Sequence, residues 1–159
     1  MKERLIVTAL LLGLAAAMAS TALATMGSGS AGWPSATAAV QGNLDDSLHL
    51  NLGEMKFQTK DKVDFASQTI KYSPGAFSGW HRHPGLVLVI VTQGQFTRDM
   101  ADCTSEVYNA GDAFIEHYEE PAMNLRNTDA GDSILSATWI LPDGATRRED
   151  VASAPPACA

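Results

Sequence analysis

His81 and His83 are the residues whose type and spacing most readily do chemistry, in the run Gly75-Ala-Phe-Ser-Gly-Trp-His-Arg-His-Pro-Gly85. Two histidines at i and i+2 on an extended strand project to one face, so both imidazoles can meet a single ion. By the same alternation Arg82 faces away from them, and Trp80 is expected to pack at a pocket wall or rim. Candidate partners follow in His117 and in the carboxylates Glu116, Glu119 and Glu120. Two imidazoles and a carboxylate suit Fe(II), Mn(II) or Zn(II), whereas two imidazoles and the thioether of Met123 favour copper. The plain alternative is a histidine pair hydrogen-bonded within a pocket that holds no metal. Glu119 and Glu120, adjacent in a turn, read as solvated, and His49 has no visible partner. No residue stands out as a general acid or base.

These side chains need strands to position them. From about Leu44 the chain breaks into short segments rich in Val, Ile, Phe, Thr and Tyr, which predicts an all-β sandwich or barrel. The spacing predicts strands over 48–52, 55–59, 63–72, 86–92, 95–98, 106–108, 113–117, 123–127 and 134–141. Between them lie turn residues such as Ser73-Pro74-Gly75, Asn109-Ala110-Gly111-Asp112 and Pro142-Asp143-Gly144. Leu86 to Val91 is apolar at every position, so both of its faces should be covered. A second subunit is the expected cover, making a homodimer, with the segment around Trp33 as the competing one.

The spacing around the histidines resembles the first motif of the cupin superfamily. Gly75, then His81-x-His83, Val87 and Gly94 fall at its positions, and Gly111-Asp112, His117 and Asn127 fall where the second motif belongs. The resemblance covers about residues 44–142 and implies a single-domain double-stranded β-helix, the cupin jelly-roll barrel. It also implies a divalent metal held by the two histidines, a later Glu and a second-motif His. Here the Glu position is Val87 and the His position is Met123. Three readings stay open: a relocated site through His81, His83 and His117 or a neighbouring carboxylate, a copper site through Met123, and a pocket without metal; a bound ion would be Fe, Mn, Zn or Cu, and no organic cofactor is expected.

Composition sets the setting. The chain has 159 residues with 11 Lys and Arg against 18 Asp and Glu, net charge -7, and carries no basic stripe, which argues against a nucleic-acid partner. Lys2 and Arg4 precede an uncharged run ending at Ala22-Leu23-Ala24, which reads as a signal peptide over 1–24. The expected product is exported, periplasmic or extracellular, with no membrane anchor after cleavage. Residues 25–43 read as a flexible arm, 44–142 as the domain and 143–159 as a tail, with Arg147 to Asp150 solvated. The two cysteines, Cys103 and Cys158, are expected to form a disulfide that tethers this tail. The functional expectation is an exported small cupin that acts on a small-molecule ligand, oxygenase- or isomerase-like. The alternative is a non-enzymatic binding module for a small ligand or a metal.

Overall fold

In the longest strands every second side chain is buried: Ala66 and Gln68 in one, Val87, Val89 and Val91 in another, and Ser133, Leu135, Ala137, Trp139 and Leu141 in a third. That period of two makes each strand one wall of a filled barrel. The computed structural model describes residues 34–151, 154–155 and 158; the expected signal peptide and Trp33 lie outside the described residues. Along the chain the strands are β1 (Ser35–Ala36), β2 (Val40–Leu44), β3 (His49–Leu52), β4 (Met55–Gln58), β5 (Val63–Tyr72), β6 (His81–Arg82) and β7 (Leu86–Gln93). There follow β8 (Gln95–Asp99), β9 (Ser105–Asn109), β10 (Ala113–Glu116), β11 (Asn124–Arg126), β12 (Ser133–Pro142) and β13 (Glu149–Asp150).

From β5 to β12 the chain winds between two antiparallel sheets. One has the order β5-β12-β7-β10 and the other β11-β8-β9, extended past β11 by a His81–Met123 bridge to β6. Apart from the β8–β9 hairpin, successive strands alternate between the two sheets, which is the winding of a double-stranded β-helix. The inward faces pack a core that includes Phe96, Phe114, Leu125, Leu135 and Trp139. Tyr72 meets Phe96 edge to face with ring centroids 5.0 Å apart. Where β7 begins, Gly85 lets the chain press against β12, because a Cβ there would drive into the Ile140 carbonyl oxygen. At the β7–β8 turn Gly94 is left-handed, φ 69°, and a side chain would also meet Ser133 Oγ at 2.5 Å.

All nine expected strands form, with small shifts at their ends, and four further ones appear. β1 and β2 lie in the segment expected to be a flexible arm, yet both pair with the edge of β5, Ala36 opposite Ile70 and Gln41 opposite Ala66. A ten-residue edge strand offers a row of unpaired backbone groups, and small polar residues satisfy them as well as any others. In the tail expected to be solvated, Glu149 and Asp150 are exposed but pair with Arg82 and His81 of β6, whereas Arg147 and Arg148 are half-buried, which corrects the expectation for those two. Cys103 and Cys158 are joined by a disulfide that fastens the chain end to the β8–β9 turn.

Candidate metal and ligand site

β6 is only two residues long, but it places His81 inward and Arg82 outward, where Arg82 Nε binds Glu149 Oε2 at 2.7 Å. His83 turns inward one step later, and the two rings meet edge to face with centroids 4.9 Å apart. The third member comes from across the barrel wall. β7 and β10 pair with Val87 opposite Glu116, so both side chains enter the interior at one level. Glu116 Oε2 reaches His83 Nε2 at 2.9 Å, both groups being buried. Ligand atoms of His81, His83 and Glu116 all lie within 4.8 Å of one another, close enough to hold one metal ion.

Backbone carbonyls set the tautomers of both rings. His81 Nδ1–H donates to Gly79 O at 2.9 Å, and His83 Nδ1–H donates to Arg147 O at 2.5 Å. A carbonyl only accepts, so each Nδ1 carries a proton, and each Nε2 is left facing the interior, the atom that a metal would take in exchange for any proton there. The pKa of the His81 imidazole is held well below its ordinary range, first by burial and then by the nearby Arg148 guanidinium. Glu116 also faces Arg98, whose Nε lies 3.9 Å from Oε1 and whose Nη2 lies 2.6 Å from Glu120 Oε2. Glu120 therefore belongs to a buried ion cluster and is not solvated as expected.

The group lines a cavity of about 110 Å³. Its walls are mostly apolar, with Ile70, Val89, Leu135 and Met123 among them, and Tyr72, Arg147 and Arg148 as polar members. Burial raises the Tyr72 phenol far above its ordinary range, so it stays protonated. Arg148 fastens the tail segment over the cavity, Nη2 donating to Ser78 O at 2.6 Å and Nε pairing with Asp150.

The structure brings together His81 and His83 as expected. His117 does not join them: it is exposed, one residue beyond the inward-facing Glu116, and alternation sends it to solvent. Glu119 and His49 are exposed as well, while Trp80 is half-buried beside β6 and donates no group to the cavity lining. Sequence reasoning missed Arg98, Arg147 and Arg148. Their signal was slight, since an Arg in a strand or a charged tail ordinarily faces water.

No protein-family model matches the chain. No curated protein matches it either. Among solved structures it is similar to an oxalate oxidase in complex with the substrate analogue glycolate, at 16% identity and TM-score 0.42, over 47% of this chain and 41% of that one. A cupin domain from Bordetella pertussis Tohama I aligns at 14% identity and TM-score 0.44, over 61% of this chain and 95% of that one. A double-stranded β-helix protein from Klebsiella pneumoniae aligns at 16% identity and TM-score 0.47, over 65% and 83%. The chain thus spans less than half of the oxalate oxidase. Two interleaved sheets wound around one core, with the histidine pair between β5 and β7, give this chain the double-stranded β-helix fold that the motif resemblance implies.

Proposed function

We propose that this protein holds one divalent transition metal at His81, His83 and Glu116 and uses it on a small organic molecule in the adjoining cavity. One observation carries the reading. With Nδ1 of His83 bound to Arg147 O, its Nε2 faces a Glu116 oxygen at 2.9 Å, and the ligand atoms of His81, His83 and Glu116 all lie within 4.8 Å of one another. A divalent ion would displace the proton that otherwise bridges His83 and Glu116 and take the His81 lone pair as well, the two-histidine, one-carboxylate set common in Fe(II) and Zn(II) sites. Held by these three residues, such an ion would supply Lewis-acid polarisation, and iron also electron transfer, to a molecule bound in the cavity.

The chain's own residues orient and exclude water. Arg147 O and Gly79 O fix both rings, Arg98 steadies the free carboxylate oxygen of Glu116, and the apolar walls keep the cavity dry. The alternative, a module that binds without turnover, draws support from Val87 and Met123, which put apolar side chains where further ligands would stand. We place the protein outside the cytosol, a reading that the Cys103–Cys158 disulfide supports.

Elemental analysis of the purified mature protein, beside His81→Ala/His83→Ala and Glu116→Gln, tests the metal. Near-stoichiometric metal lost in both variants is the expected result. Its absence after incubation with Fe(II), Mn(II), Zn(II) and Cu(I) would overturn the proposal, and copper retained by Glu116→Gln would move the third ligand to Met123.

A further inference from the structure

The tail that closes the cavity carries two arginines, and they are not equivalent. Arg148 is committed to Ser78 O and Asp150. Arg147 has no carboxylate partner among the described residues; its guanidinium lies over the Trp139 ring, 5.8 Å from the centroid. Trp139 itself is buried, lines the same cavity, and its Nε1–H has no hydrogen-bond partner among the described residues. A buried donor without an acceptor costs free energy, and beside it the half-buried Arg147 carries a charge with no carboxylate against it. The two lie side by side within an acidic protein of net charge -7. A nonspecific excess of positive charge does not explain it.

We propose that this cavity takes a small organic carboxylate, whose oxygens are met by the Arg147 guanidinium and the Trp139 indole N–H while its short body lies against the apolar walls. This names the substrate class of the site proposed above and rests on that reading. Arginine is suited to the task because its planar fork matches a carboxylate and stacks on an aromatic face. The walls speak against an inorganic oxyanion, since Ile70, Val89, Leu135 and Ala137 offer contact only to carbon. Size sets an upper bound: about 110 Å³ is well under the roughly 300–1,000 Å³ of sites for drug-sized ligands.

Ligand-detected NMR titration of the mature protein with propionate, propionamide and inorganic phosphate tests this, using wild type and Arg147→Gln. The variant keeps the backbone carbonyl that fixes His83. Metal content is measured on the same samples. Propionate should bind about tenfold or more tightly than propionamide or phosphate, and Arg147→Gln should weaken propionate by about tenfold with its metal content unchanged. Equal binding of acid and amide, equal binding of phosphate, no binding of propionate, or an unaffected Arg147→Gln would each overturn the carboxylate assignment. Should the variant misfold, the wild-type comparison of acid with amide decides alone. A protein that prefers the acid yet never takes up metal would sink the metal reading and leave this one standing.

Discussion

At the scale of single residues, the site turns on a carboxylate displaced by one strand. Val87 stands where the cupin resemblance calls for a ligating Glu, and Glu116 faces it from the neighbouring strand β10. Cross-strand partners share one face, so a carboxylate can move between these positions without leaving the interior. Glu116→Gln should therefore lose metal by more than the roughly 10- to 100-fold typical of removing an outer-shell partner. The double variant Val87→Glu/Glu116→Val should regain much of it, and competitive chelator titration reads both. A double variant as empty as the single one would show that the two positions are not interchangeable. Both histidines could be picked from the sequence because their i, i+2 spacing is local. The choice of Glu116 over His117 could not, because it depends on which residue of β10 lies opposite Val87, a register formed between segments 29 positions apart.

At the scale of elements, most of the barrel was legible because its strands carry alternating apolar residues and clear turns. β1, β2, β6 and β13 were not, since each is held by backbone pairing to a neighbour and not by an apolar pattern of its own. The second sheet shows what side chains add. Arg126 on β11 makes a two-pronged contact with Asp99 on β8, Nε to Oδ2 at 2.5 Å and Nη2 to Oδ1 at 2.7 Å. Burial raises the Asp99 carboxyl, but hydrogen bonds from Arg126, Ser105 and Asn124 outweigh it and leave the group below its ordinary range. A carboxyl depressed in the folded state stabilises above its unfolded pKa and loses that contribution as pH falls through the folded value. Asp99→Asn should cost about 1 kcal/mol at pH 7, the figure reduced for partial exposure. The gap between variant and wild type should close as pH falls through the depressed carboxyl value. Urea unfolding at pH 7 and pH 2.5 checks it, and an undiminished gap in acid would assign the loss to packing.

At the scale of the whole molecule, two surfaces lie outside the barrel proper. One is the outer face of β7 and β10, where Leu88, Ile90 and Ile115 are exposed together, Leu88 and Ile115 being register partners. We propose that a second copy of the chain covers it. Light scattering should give a dimer mass, and Leu88→Ser/Ile90→Ser should give a monomer; a wild-type monomer at working concentration would refute it. The other is the tail, whose disulfide closes a loop between residues 55 positions apart and is worth about 4 kcal/mol in the chain-entropy picture. Cys158→Ser should lower the melting temperature and raise amide exchange at 149–151, whereas exchange as slow as in wild type would mean that β13 holds without its fastening.

The carbonyl that caps His83 comes from Arg147, 64 residues further along the chain. A ribosome releases the histidines long before it releases that carbonyl, and the cysteine that fastens the segment emerges later still. His81 finds its carbonyl in Gly79, two residues before it, but the His83 ring is free to pivot until residue 147 arrives. The orientation of this ring is therefore acquired only after both sheets of the barrel have emerged, and a chain cut before residue 147 would be expected to leave the His83 ring unoriented.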